Sequence, residues 1–196
     1  RSRSAKEAID ASVSLGFPVA VKLDSPSIPH KTEAGVVFTN VTNKSQVRNA
    51  FNKVIENGSR YCPESRGSPV VIQEMVTGGT EIIVGLSQDP TFGTVLLFGL
   101  GGVFVDVLDD VSIRICPINE REALRMIDEI SASRILRSFR GRSASDIDAL
   151  VETLVTISDL GVRYSDRGIE LDINPLLVLQ HGQGVIALDA LIKFHK

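Results

Sequence analysis

The sequence contains no tryptophan, and aromatic residues make up only 5% of it. Few ring faces are therefore on offer for stacking the bases of a single-stranded nucleic acid. Positive charge is not in excess either. The 21 Lys and Arg stand against 24 Asp and Glu, a net charge of −3, so a broad electrostatic grip on nucleic acid or on an anionic membrane is lacking. Cysteine is scarce: Cys62 sits in a Pro-flanked loop and Cys116 in a strand-like run, and their spacing fits neither a thiol redox motif nor a zinc knuckle. Two reduced thiols point to the cytoplasm. The longest apolar stretches, such as Thr94–Gly102, fall well short of the roughly 20 residues that span a bilayer, and no charged-then-apolar leader opens the chain. The expectation is a soluble cytoplasmic protein that engages neither membrane nor nucleic acid.

What is present is ample core material. With 43% hydrophobic and 23% charged residues, the 196-residue chain can bury enough apolar surface for one large domain or two associated lobes. Ser4 and Glu7 have capping-box spacing, Ala8, Ala11 and Leu15 share one face, and Gly16 follows, which predicts a helix over 5–15. Residues 17–23 and 36–41 read as strands, separated by a loop rich in Ser and Pro. From Ser45, the residues Val47, Ala50, Phe51, Val54 and Ile55 trace a helical apolar stripe, with Gly58 as the expected stop. Past an exposed 59–68 loop come strand candidates at 69–76, 80–87, 94–100, 103–108 and 112–117, the pattern of an antiparallel sheet. Helices are expected over 120–130 and roughly 145–160, the second closed by Gly161. Runs at 168–174, 176–180 and 184–188 suggest a terminal hairpin turning at 181–184, and no internal repeat is found.

Four features carry chemistry. Lys22 ends the apolar run Pro18-Val19-Ala20-Val21, where a buried ammonium needs an anion; a snorkelling edge-strand lysine fits the same pattern. Alternation sends Glu170, Asp172 and Asn174 to one strand face, and the terminal hairpin brings Asp189 near Asn174. Carboxylate and amide oxygens suit Mg²⁺ completed by phosphate and water, whereas zinc would want thiolate or imidazole; a solvated polar face is the alternative. The glycines of Phe98-Gly99-Leu100-Gly101-Gly102 offer backbone N–H groups to an anion or else a tight bend. They form no dinucleotide fingerprint, and no P-loop occurs. His30, between Pro29 and Lys31, is either a nucleophile toward phosphorus or an exposed loop residue, while His181 and His195 carry no signal of function.

Taken in order, these segments resemble one family. Pro18–Lys22, then Ser25-Pro26-Ser27-Ile28-Pro29-His30-Lys31-Thr32-Glu33-Ala34-Gly35, then Ile72-Gln73-Glu74-Met75-Val76 with Gly79-Thr80-Glu81 are similar to the ATP-grasp domain of ADP-forming acyl-CoA synthetases. The similarity continues through Gly99–Asp106, Asp110–Arg114, Asp172-Ile173-Asn174-Pro175 and Ala187-Leu188-Asp189-Ala190, so it spans nearly the whole chain. Succinyl-CoA synthetase beta subunits and acyl-CoA-using protein lysine acetyltransferases are related to the same family. The resemblance implies an α+β ATP-grasp fold, a small lobe over 1–74 and a large lobe over 75–196, with a nucleotide cleft between them. It implies that Lys22 holds ATP phosphates, that Glu74, Met75 and Val76 line the adenine at the interlobe hinge, and that Glu81 reaches the ribose. Asp172, Asn174 and Asp189 would hold Mg²⁺, and His30 would be the mobile phosphohistidine.

The implied activity is that of an acid–thiol ligase, acyl-CoA + ADP + phosphate ⇌ acid + CoA + ATP. Alternatives are the regulatory ATP-grasp region of a lysine acetyltransferase, in which His30 need not be phosphorylated, and a non-catalytic nucleotide-sensing module. The family pattern begins further upstream, which makes the small lobe N-terminally incomplete, and it commonly has glutamate where Asp106 stands. Nothing in the chain resembles the CoA-binding domain or the domain bearing the first phosphohistidine. The expected partner is a domain or subunit that supplies both, within an oligomer.

Overall fold

The computed structural model describes residues 1–28, 31–101, 110–137 and 144–195. His30, Gly102, Asp106 and the strand expected over 103–108 lie outside the described residues. The chain divides into two compact units, Arg1–Thr77 and Gly78–Lys196.

In the first unit, α1 (Ala5–Leu15) precedes β1 (Val19–Leu23) and β2 (Val37–Val41), followed by α2 (Lys44–Tyr61) and β3 (Val70–Glu74). The strands form an antiparallel sheet in the order β2-β1-β3. Helix α1 starts where the capping box places it. The Ser4 hydroxyl accepts the Glu7 N–H at 3.2 Å, and the Glu7 carboxylate reaches back to accept the Arg3 N–H at 2.8 Å. Helix α2 is capped the same way from Asn43, which accepts the Gln46 N–H at 3.0 Å. Val19, Val21 and Leu23 from alternate positions of β1 meet Val47, Phe51 and Val54 of α2 in the core.

In the second unit, β4 (Thr80–Asp89), β5 (Gly93–Leu100) and β6 (Val111–Ile115) form an antiparallel meander. Helices α3 (Glu120–Glu129) and α4 (Ile147–Arg163) follow, then β7 (Ile169–Val178), β8 (Val185–Ala187) and β9 (Ala190–Phe194). The sheet order is β6-β5-β4-β7-β8, and β9 also pairs with β7. One face is apolar and closed: Val84, Leu86, Leu96 and Phe98 pack with Met126 of α3 and Leu154 of α4. On β6, Arg114 turns toward α3 and pairs with Glu122 at 3.2 Å and with Glu129. Among the described residues no helix is long and apolar enough to cross a membrane.

Three expectations are corrected. Gly58 does not stop α2, which runs on to Tyr61, and Gly161 does not close α4, which runs on to Arg163. Each is a contact glycine inside its helix. A Cβ on Gly58 would lie 2.3 Å from Leu23 Cδ2, and one on Gly161 would lie 2.9 Å from Thr94 Cγ2 and 3.0 Å from Leu86 Cδ2. The two strands expected at 168–174 and 176–180 are one strand, β7, while the following stretch breaks at Leu188–Asp189 into β8 and β9. Pro175 is tolerated because it sits at a bulge of β7, where Asn174 and Pro175 together oppose Ile83 alone between the pairs Ile82–Leu176 and Val84–Ile173, a place that does not need every N–H.

Asp146, the N-cap of α4, also ties that helix to the hairpin after β7. Its carboxylate accepts the Gly184 N–H at 2.8 Å and the Ala149 N–H at 3.3 Å. The Gly184 bond, then those from Ala149 and Gly182, hold the carboxyl below its ordinary value against the cost of desolvation. A lowered native pKa contributes stability that is complete above the unfolded-chain value of about 3.9 and is lost as pH falls through the native value. Asp146→Ala is therefore expected to lower Tm at neutral pH, with the gap to the parent closing on acidification below that value. Melting curves across the acid range check this, and a gap independent of pH would show that ionisation of Asp146 plays no part.

Candidate functional site

The first unit supplies an ammonium and a loop. Lys22 stands in the central strand β1, opposite Val37 of β2 and Val71 of β3, half-buried between the buried Val21 and Leu23. Alternation places it on the sheet face away from Val21 and Leu23, which point into the helix-packed core. The loop that follows β1 is anchored on both sides of His30. Ile28 is buried in the core, with its N–H donating to Ser25 O at 3.3 Å. On the far side, the turn from Lys31 to Val36 is closed by the Val36 N–H on the Lys31 carbonyl at 3.0 Å. Asn57 of α2 then donates from Nδ2 to the Gly35 carbonyl at 2.7 Å. Sequence reasoning passed over Asn57, whose only signal is a poor helix former inside a helix. Glu74 ends β3 and is exposed, and Met75 and Val76 after it are half-buried, with the Met75 N–H donating to Pro18 O at 3.4 Å.

The second unit gathers the oxygen donors. On β7, Asp172 and Asn174 are exposed while Leu171 and Ile173 between them are buried, as the alternation predicts. The Asn174 N–H donates to the Asp189 carbonyl at 3.1 Å, and the ladder then runs Ile173 to Ala190 and Asp172 to Leu191. The break between β8 and β9 therefore sets Asp189 beside Asn174, and Asp172 lies one alternation further along the same face. Glu170, on that face as well, is engaged elsewhere: its carboxylate meets His195 Nε2 at 3.0 Å. Among the described residues no group of three or more His, Cys, Asp and Glu could hold a metal ion. Two carboxylates and an amide are the donor set that remains, which suits a cation that takes few protein oxygens and completes its shell with phosphate and water.

Glu81 is exposed near the start of β4, opposite Leu177. Its carbonyl accepts the Gly101 N–H at 2.8 Å, and a Cβ on Gly101 would lie 3.0 Å from the Glu81 backbone. A Cβ on Gly99 would meet Val111 Cγ1 at 3.0 Å. Gly99, inside β5, and Gly101 are thus points of close packing, a role distinct from the anion contact and the tight bend expected of this run.

A family model described as an ATP-grasp domain matches residues 1–194. The beta subunit of an ADP-forming acetate–CoA ligase (II) from Pyrococcus furiosus is 39% identical over 191 residues, covering 97% of this chain and 81% of that subunit. The ADP-forming acetate–CoA ligase I of Archaeoglobus fulgidus is 42% identical over 185 residues, 94% of this chain but only 27% of that longer protein. Among solved structures, the dinucleotide-forming acetyl-coenzyme A synthetase 1 of Ca. Korarchaeum cryptofilum, in complex with coenzyme A and Mg-AMPPCP, aligns with a TM-score of 0.79 at 36% identity. The alignment covers 98% of this chain and 83% of that one, and the phosphohistidine segment of that protein points towards its nucleotide-binding site.

Proposed function

Because this chain belongs to the ATP-grasp family, among the beta subunits of ADP-forming acetate–CoA ligases, we propose that it is the nucleotide half of an ADP-forming acyl-CoA synthetase. In the synthetic direction for ATP, the phosphoryl group leaves an imidazole nitrogen of His30 and joins the terminal oxygen of ADP. One N–P bond breaks, one O–P bond forms, and one proton, carried on the other ring nitrogen or taken from water, leaves the imidazole neutral. The observation that supports this function most is the Asn174–Asp189 backbone bond, which sets Asp189 beside Asn174, with Asp172 two residues along the same exposed face of β7.

Lys22 contributes a fixed positive charge to the phosphates. Glu74, Met75 and Val76 receive the adenine, and Glu81 takes the ribose. Asp172, Asn174 and Asp189 are the oxygens that would hold Mg²⁺, which when bound neutralises charge on the nucleotide's phosphate oxygens. Phosphoryl transfer depends on such positioning and charge neutralisation more than on covalent help from the protein. The partner is a CoA-binding domain or subunit that carries the first phosphohistidine. The Korarchaeum enzyme, with its magnesium nucleotide and phosphohistidine segment, supports this division of labour.

Asp189→Asn keeps the shape of the side chain and removes one negative charge from the metal site. It is expected to weaken Mg²⁺-dependent ADP binding on the order of tenfold, or about 1.4 kcal/mol. Titration calorimetry with and without Mg²⁺ measures this. An unchanged response to the metal removes Asp189 from the site, and a parent chain that binds no ADP with Mg²⁺ overturns the proposed function.

A further inference from the structure

Four glycines in the two units are explained by crowding: Gly58, Gly99, Gly101 and Gly161 each have another atom of the protein within about 3 Å of where a Cβ would stand. Gly85 is different. It lies in the middle of β4, a central strand, where glycine is disfavoured because it adds backbone entropy and no side chain to pack. Its φ is not positive, so its backbone conformation is open to any residue. Among the described residues, a Cβ at Gly85 would meet only Leu171 O at 3.4 Å and Leu97 Cβ at 3.9 Å, both ordinary contacts. Neither turn geometry nor packing calls for a glycine there.

Register shows what the missing side chain leaves clear. Gly85 is directly opposite Asp172 on β7 and Leu97 on β5, and Leu97 is opposite Ile113 on β6. Directly opposed residues of an antiparallel pair project to the same face. Ile113, Leu97, Gly85 and Asp172 therefore form one row across the sheet, on the face opposite the closed one that carries Val84, Leu86, Leu96 and Phe98. Asp172 and Ile113 are exposed in this row and Leu97 is half-buried, so the row is open. At its centre, beside the carboxylate, the floor is bare backbone.

We propose that Gly85 is a clearance position, its absent side chain leaving room for the phosphate–metal end of a nucleoside diphosphate against the backbone beside Asp172. This rests on the assignment of Asp172 to the Mg²⁺-nucleotide site. Any side chain at residue 85 would stand in the space where that end of the ligand lies, and the obstruction grows with size.

The test uses the full chain, Mg²⁺ and ADP, with affinity and unliganded melting measured together for the parent, Gly85→Ala, Gly85→Val and Ser87→Val. Ser87 is exposed on the same strand face, two residues further from Asn174. Affinity is expected to fall in order of size, by tenfold or more for Gly85→Val, with Tm of the unliganded chain unchanged or raised and with Ser87→Val within twofold of the parent. A Gly85→Val chain that binds Mg²⁺-ADP like the parent overturns the clearance role and leaves the nucleotide site standing. A loss of melting temperature in both Gly85 variants also overturns it, since the fold itself would then need the glycine. If the parent does not bind, the nucleotide assignment fails first, and the clearance role with it.

Discussion

His30→Ala is expected to eliminate phosphoryl transfer while leaving Mg²⁺-ADP affinity close to that of the parent. Incubated with labelled ATP, Mg²⁺ and the CoA-binding partner, the parent should accumulate acid-labile phosphate and the variant none. Turnover should fall by on the order of 10⁴-fold or more, because no other group takes over when a covalent acceptor is deleted. The split between binding and transfer is the informative part. Lys22, Asp172 and Asn174 are held in β1 and β7 by strand pairing and Asp189 by the Asn174 backbone bond, so a loss confined to transfer is what a carrier predicts. Label retained by the alanine variant would show that another residue is the acceptor. Nucleotide bound without any label in the parent would instead favour a sensor.

The site was legible from sequence to the extent that it depends on alternation. Asp172 and Asn174 are exposed between buried neighbours as period-2 patterning requires, and Asp189 could be brought near them because a turn separates two apolar runs. Glu170 has the same phase and still drops out, because its partner His195 follows directly on β9, a strand the sequence pattern did not separate from the run before it. Asn57 was illegible for the same kind of reason. Its hydrogen bond to Gly35 spans 22 residues and leaves no periodic trace in either segment. The family resemblance supplied what alternation could not, namely expected roles for Lys22, Glu74, Met75, Val76, Glu81 and His30, and the α+β ATP-grasp fold it implied matches the Korarchaeum structure.

The first helix was legible at both ends, from the Ser4 cap to the Gly16 stop, whereas Gly58 and Gly161 misled at the ends of two others. The caps at Ser4 and Asn119 are side chains that satisfy N–H groups three residues on, a local rule that sequence displays directly, whereas Asp146, expected inside a helix from about 145, is itself the cap of one that starts at Ile147. A glycine near the end of an apolar stripe is ambiguous. It serves equally as a left-handed stop or as the thin point where another element packs close, and only the second element decides which. For Gly58 that element is β1, through Leu23, and for Gly161 it is β4 and β5, through Leu86 and Thr94.

This ambiguity has a measurable sign at Gly58. Glycine inside a helix is less favourable than alanine by about 0.8–1.0 kcal/mol, so on helix propensity alone any good helix former there should stabilise. Against that stands Leu23, which is 2% exposed and whose Cδ2 would be 2.3 Å from the new Cβ, with Ser65 Oγ at 3.2 Å on the other side. Leu23 belongs to the same core as Phe51 and Val54, so displacing its Cδ2 disturbs that packing. Forcing an extra methyl into such packing costs about 1–3 kcal/mol, which outweighs the propensity gain for alanine by about 1 kcal/mol and for leucine by more. Gly58→Ala is therefore expected to lower stability modestly, and Gly58→Leu to lower it by about 3 kcal/mol or to prevent folding of the first unit. Urea denaturation of both variants decides between the two effects. If Gly58→Ala is more stable than the parent, helix propensity dominates and the close approach of α2 to β1 is not what selects glycine there.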